Sequence, residues 1–254
     1  MYKENKRGLA LQGKSRGFLK TPVWYPALAN RTFLTSFVKL RSEAVKALAD
    51  GIKYDENPDS PIAQTINELR IAMNAVPGNS FVFTDCCAPT DTERFLNKNG
   101  AVFSAESAWS NLAQSFKVRE NAAAGKIEHI CIRPFRRMNR TREFRLFIYE
   151  GQLSAMSQYY LIRHFRRLEG VKEAYWEKAK KFIDEIIWLL PVKTLVMDIY
   201  FTSDNEILII DLNPWGEPTE PLMLDSWDRD WNTPAGIVLM PVPIPISGDV
   251  NISF

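Results

Sequence analysis

The stretch from Leu195 to Asn213, LVMDIYFTSDNEILIIDLN, decides how this chain is read. Two runs of β-branched and aromatic residues flank Ser203-Asp204-Asn205-Glu206, a turn signal, and together they spell a β-hairpin. With Asp204 and Asn205 as the central turn residues, Asp198 falls opposite Asp211. Side chains alternate along each strand. Met197, Ile199 and Phe201 then share an apolar face with Leu208, Ile210 and Leu212, while Asp198, Asp211 and Asn213 share the other. Like charges facing each other across a sheet are destabilising. In an apolar segment they call for a cation between them, unless they face solvent or pair with arginine. Oxygens from Asp, Asp and Asn are what Mg²⁺ takes, usually together with phosphate oxygens. A slip of one residue would move Asp211 to the other face. The next segment, Asn213-Pro214-Trp215-Gly216-Glu217-Pro218-Thr219, is a sharp loop at the end of this strand. It either lines a site or is a plain turn with an aromatic plug.

Upstream, residues 142–160 (REFRLFIYEGQLSAMSQYY) form a second hairpin turning at Glu150-Gly151. Its register sets Glu143 opposite Gln158, so that Glu143, Arg145 and Gln158 line one face. An arginine in mid-strand there suits a phosphate or a carboxylate, or makes an ordinary Glu–Arg contact. Arg133, Arg136, Arg137, Arg140 and Arg142, with Arg163, Arg166 and Arg167, form a basic cluster that reads as a phosphate or nucleic-acid contact or as a solvated loop. Trp24-Tyr25-Pro26 reads as core packing or as a partner anchor, and Trp227 and Trp231 as exposed partner contacts.

Helices are expected over residues 37–50, closed by Gly51, over 61–75 after Asp59-Ser60-Pro61, over 105–116 and over 171–190. Further strands are expected at 80–84 and 129–133. This mixed order gives two α+β lobes, residues 1–128 with a solvated basic arm and residues 129–254 with the hairpins and an extended proline-rich tail from Pro241.

Composition sets the outer bounds. The chain has 254 residues, 46% hydrophobic and 24% charged, which excludes a disordered chain, a collagen and a coiled coil. It holds no apolar run of about eighteen residues, the length a membrane span needs. A net charge of +2 argues against general capture of nucleic acid. Cys86, Cys87 and Cys131 make an odd count without metal spacing, which points to reduced thiols in a cytoplasmic setting. Walker, G-x-G-x-x-G, G-x-S-x-G and H-E-x-x-H motifs are absent. The two histidines, His129 and His164, give no support for a Ser or Cys nucleophile with a His base.

Several of these stretches occur together and in order: Trp24-Tyr25-Pro26, Phe81-Val82-Phe83, Ala88-Pro89-Thr90-Asp91, Arg142-Glu143-Phe144-Arg145-Leu146-Phe147 with Ser157-Gln158, Met197-Asp198-Ile199-Tyr200, and Ile210-Asp211-Leu212-Asn213-Pro214-Trp215-Gly216-Glu217. In this the chain resembles the cell division cycle protein 123 family, a divergent branch of the ATP-grasp fold. The resemblance implies an ATP-grasp-like α+β fold with Mg-ATP in a cleft between two lobes. It implies Asp198, Asp211 and Asn213 as magnesium ligands. It also implies the strand His129, Ile130, Cys131, Ile132 and Arg133 with its backbone beside the adenine, and Arg145 facing the phosphates, and Glu143 and Gln158 on the Arg145 face are expected to bind the cofactor with it. Arg145 is the residue it implies for catalysis.

Eukaryotic members act as assembly factors for the translation initiation factor that delivers initiator tRNA, and the partner implied is a translation GTPase. The alternatives are an ATP-dependent ligase acting on a small-molecule or peptide acceptor, and a pseudoenzyme with weakened ATP binding. Two basic residues of the family are replaced here, by Phe83 and Thr90, and a third, after Gln158, by Tyr159. Lys39, Arg41, Arg94 and Lys98 are the candidate replacements.

Overall fold

The computed structural model describes residues 17–243, so the basic arm up to residue 16 and the end of the proline-rich tail lie outside the described residues. Two antiparallel-rich sheets organise the rest. The first has four strands in the order β1 (Ser36–Lys39), β4 (His129–Pro134), β2 (Ser80–Thr84) and β3 (Ala101–Val102). The second has five, in the order β8 (Ile207–Asn213), β7 (Leu195–Phe201), β5 (Glu143–Tyr149), β6 (Gln152–Gln158) and β9 (Gly236–Val238). The expected α+β class is the class found. The strand at 129 was grouped by sequence with the second lobe. It pairs on both sides within the first sheet, because its alternating buried residues Ile130 and Ile132 complete the first core.

Each sheet buries one face under helices. Val38, Val82, Ile130 and Ile132 pack on α2 (Ser42–Ala49), α3 (Ala63–Asn74), α5 (Ala105–Gln114) and α6 (Phe116–Ala123). Phe144, Leu146, Met197, Ile199 and Phe201 pack on α8 (Lys172–Ile186) and on α1 (Thr21–Leu28). The short helices α4 (Glu93–Lys98) and α7 (Arg166–Glu169) lie in connections. The heptad-like spacing of Trp176, Ala179, Phe182, Ile183 and Ile186 makes α8 amphipathic, and all five are buried.

The helix expected at 37–50 is a strand followed by a shorter helix. Phe37 and Val38 pair with Cys131 and Ile130, so sheet pairing overrides the helical spacing before Ser42. Trp24 is core rather than partner anchor: it is 2% exposed and its indole N–H donates to Leu19 O at 3.1 Å. Trp227 and Trp231 also face inward, packed with Trp215 around Phe147. The loop after β8 is therefore held by an aromatic plug.

Candidate functional site

The hairpin β7–β8 places Asp198 opposite Asp211, as the sequence indicates, but by a different route. Its loop, residues 203–205, is closed by Thr202 N–H donating to Glu206 O, with Asn205 N–H donating to Thr202 O and Asn205 at φ +60°. This is a three-residue loop closed by a left-handed residue, so the strands start one register off. A bulge at Ile210 then restores the pairing. Hence Ile207 and Ile209, not Leu208 and Ile210, fill the core beside Leu212.

The bulge also frees the Ile210 carbonyl, which accepts from Arg133 Nη1 of the first sheet at 2.8 Å. Beside it, Thr32 Oγ1 donates to Ile209 O at 2.6 Å. These bonds tie the first sheet to the edge of the second at the carboxylates.

Four strands line up a polar row. Ser157, Arg145, Asp198 and Asp211 pair in sequence across β6, β5, β7 and β8. Arg145 Nε and Nη2 donate to the two Asp198 oxygens at 2.7 and 2.9 Å, and Nη1 donates to Glu220 O at 2.8 Å. Asn213 Nδ2 donates to Asp198 Oδ2 at 3.0 Å. Burial alone would lower the Arg145 pKa, but the Asp198 charge outweighs it and holds the guanidinium charged. Among the described residues Asp211 has no such partner. One of its oxygens accepts the Leu212 N–H at 2.9 Å. Although an edge stays accessible, burial and then the Asp198 charge push its carboxyl up to about 7. Glu143 lies on the same face, 5% exposed, and burial followed by the Asp198 charge raises it to about 8.

Gln158 does not join this row. A bulge at Ser154 in β6 shifts the far half of the hairpin, so Gln158 lies opposite Phe144 and Tyr159 opposite Glu143. Its amide donates to Tyr160 O and Arg163 O and accepts the Met240 N–H. Gln158 is thereby corrected from a site residue to a brace under the following loop. Tyr159 takes the place on the Arg145 face, its ring centroid 5.3 Å from the guanidinium.

The strand β4 also differs from expectation. Ile130, Cys131 and Ile132 are paired with β1 and β2, so their backbone is committed to ladders rather than open beside a base. Ile130 and Ile132 point into the helical core. His129 is near Asp85 at 3.5 Å, in a group with Glu128 and Lys20 at the far end of the strand. Cys131 and Arg133 alternate onto the opposite face, and only Arg133 reaches the row.

Two cations stand where sequence reasoning saw losses. The Arg133 guanidinium lies over the Phe83 ring at 4.7 Å, with Nε donating to Thr35 Oγ1 at 3.0 Å. Its Nη2 is buried without a partner among the described residues. Burial lowers its pKa, and the nearby Asp211 opposes that shift. Lys117 Nζ donates to Thr90 Oγ1 at 2.9 Å, where Asp91 accepts the Lys117 N–H and the Ser115 hydroxyl. The candidate replacements named from sequence lie elsewhere: Arg41 pairs with Glu68, Arg94 bonds Ala101 O, Lys98 lies over Phe103, and Lys39 is exposed on β1. The substitutions at 83 and 90 were the only sequence signal, and pairing in space supplies the rest.

This arrangement gathers carboxylate and amide oxygens, one bidentate arginine and one half-satisfied arginine on two facing sheets. A family model, D123, matches residues 101–229, which carry most of it. The chain belongs to the D123 family. Within that family, a relative from Vanderwaltozyma polyspora called translation initiation factor eIF2 assembly protein is 34% identical over 94 residues, 36% of this chain and 25% of the relative. The matched stretch thus spans about a quarter of that curated protein. A CDC123-like protein of Acanthamoeba polyphaga mimivirus is 26% identical over 227 residues, 82% of this chain and 68% of the relative. The solved structure of Cdc123 from Schizosaccharomyces pombe covers 90% of this chain and 97% of its own, at 18% identity and a TM-score of 0.75. That similarity extends the shared fold to the described first sheet, beyond the family match. No helix among the described residues is long and apolar enough to cross a membrane.

Proposed function

We propose that this D123 protein is an ATP-grasp-like binder of Mg-ATP that uses the nucleotide to join its two sheets and present a surface to a protein partner, as an assembly chaperone does. The observation that carries the reading is the row Arg145–Asp198–Asp211, with Asn213 beside it and Arg133 facing it. The donor set fits Mg²⁺. Among the described residues Asp211 keeps an oxygen free of side-chain partners, the Asn213 amide turns its nitrogen to Asp198 and leaves its oxygen free, and Asp198 retains lone pairs beyond those Arg145 uses. Burial and then the Asp198 charge disfavour the ionised form of Asp211, and a divalent cation would oppose both.

Magnesium would supply charge neutralisation between the carboxylates and the nucleotide phosphates. Arg145 and Arg133 would bind and orient phosphate oxygens from the two sides, and Lys117 would add a charge at the Thr90 turn. Because Arg145 gives three of its five N–H groups to Asp198 and Glu220 O, it positions the carboxylate and keeps two N–H groups for a phosphate oxygen. That suits a nucleotide held as a structural bridge better than one turned over quickly. The partner we infer is a translation GTPase, from the naming of the relatives as eIF2 assembly proteins.

Calorimetric titration of ATP with Mg²⁺, then with EDTA, tests the site. Saturable binding that needs Mg²⁺ and disappears in Asp211→Ala supports it. Binding unchanged in EDTA and in Asp211→Ala refutes it. ATP hydrolysis stimulated by a peptide or small-molecule acceptor would move the role from chaperone to ligase.

A further inference from the structure

Two segments that flank the β5–β6 hairpin build an arginine surface next to the Glu143 end of the row. Arg136, Arg137 and Arg140 come from the β4–β5 connection, and Arg163, Arg166 and Arg167 from the loop after β6 and from α7. All six are exposed. Arg167 Nη2 donates to Asn139 Oδ1 at 3.1 Å and joins the segments. A cavity of about 420 Å³ opens between them, lined by Arg163, Arg166, Arg167 and His164 with Asn139 and Thr141. The acids that border these segments are Glu143 and Glu169, and Glu169 lies 3.9 Å from His164. Among the described residues the arginines paired with carboxylates are Arg31, Arg41, Arg70 and Arg145, none of them on this surface. Six arginines against Glu143 and Glu169 leave a net positive patch, and an anionic ligand relieves its self-repulsion.

The surroundings discriminate between anions. Arg140 lies over the Tyr160 ring at 5.0 Å and Arg163 over Phe165 at 5.1 Å, so these aromatic faces are already covered. A single-stranded nucleic acid would want them open for base stacking. Leu161 and Ile162, 40% and 65% exposed, immediately precede Arg163 in the same loop. Exposed apolar side chains next to arginine forks in one loop fit a peptide that carries carboxylates with an apolar residue between them.

We propose that this surface docks an acidic peptide segment of a protein partner. The carboxylates pair with the arginine forks, and an apolar residue sits against Leu161 and Ile162. The proposal rests on the partner-binding half of the reading above and not on nucleotide binding.

The test uses the full chain and two fluorescein-labelled twelve-residue peptides, one repeating Glu-Glu-Leu and one all Glu, read by anisotropy. Saturable binding of the first peptide that weakens with added salt is expected. The triple variant Arg163→Ala/Arg166→Ala/Arg167→Ala should bind about tenfold more weakly, as three lost exposed ion pairs imply. Removing the same charge from α8 with Lys178→Ala/Lys180→Ala/Lys181→Ala should change affinity less than about twofold on the same scale. Leu161→Ala/Ile162→Ala should weaken the Glu-Glu-Leu peptide and leave the all-Glu peptide unchanged. Unaltered thermal midpoints certify folding of each variant. Binding retained in Asp211→Ala supports the proposal even where nucleotide binding fails. The proposal is overturned by absence of saturable binding, by equal loss in the lysine variant, or by a twelve-residue polyuridine that binds more tightly than either peptide.

Discussion

The hairpins β5–β6 and β7–β8 lie in one sheet, joined through β5 and β7, and each carries one bulged residue. Their bulges do opposite things to a register counted from the turn. In β5–β6 the Glu150-Gly151 turn has both residues at positive φ, a regular two-residue loop, and the bulge at Ser154 then breaks the count. In β7–β8 the loop is one residue longer than the count assumes, and the bulge at Ile210 repairs it. Counting therefore placed Asp198 against Asp211 correctly and Glu143 against Gln158 wrongly. Both extra residues turn backbone groups away from the ladder toward partners. Ile210 O accepts from Arg133, and Ser154 O accepts the Ala235 N–H while Ser154 Oγ donates to Trp231 O. One bulge ties the two sheets together at the carboxylates, and the other pins the aromatic segment that precedes β9.

The comparison breaks most readily at Arg145. Arg145→Ala leaves Asp198 and Asp211 buried and opposed, and should cost about 3–5 kcal/mol in urea unfolding. Adding Asp198→Asn should recover much of that loss. No recovery would mean that Arg145 acts through packing rather than charge. Next is the Ile210 bulge. Deleting Ile210 keeps Asp198 against Asp211 but removes the acceptor of a buried guanidinium, and about 1–3 kcal/mol should be lost. Deleting Ser154 should instead loosen the 231–235 segment and raise Trp231 fluorescence quenching by iodide, with the carboxylate row intact.

A smaller effect is expected at Glu143. Its folded pKa of about 8 lies above that of an unfolded glutamate, so the folded state holds the proton longer. Below the unfolded value both states are protonated and the group is neutral for stability. As pH rises toward 8 the unfolded state ionises first, and stability falls. Glu143→Gln should therefore be silent near pH 4 and stabilise by about 1–2 kcal/mol near pH 8, with a thermal midpoint several degrees higher. An equal gain at both pH values would contradict the burial argument. Smallest is Lys117→Ala. As an exposed contact it should leave stability within about 0.5 kcal/mol while weakening Mg-ATP binding a few-fold.

The legible parts of this chain were those where burial and periodicity agree. Ser80–Thr84, Lys172–Ile186 and the two hairpins were readable because each has a clear core face. The helix before Ser42 was misread because Phe37 and Val38 satisfy either periodicity, and only pairing with β4 selects a strand. The metal-type donors were legible from two aspartates in an apolar hairpin, and the family resemblance pointed to the same residues. Arg133 and Lys117 were not legible as partners of Phe83 and Thr90. Their sequence separation hides a contact made only when β4 pairs with β2 and when α6 packs behind the Pro89 turn.

The central claim is that the Asp198–Asp211 pair holds a divalent cation together with nucleotide. Electron paramagnetic resonance of Mn²⁺, titrated into the protein with and without ATP, reads this directly. The account predicts one immobilised Mn²⁺ per chain in the presence of ATP, displaced by Mg²⁺ and absent in Asp211→Ala. Mn²⁺ bound equally by Asp211→Ala, or none bound by the wild type with ATP, would contradict it.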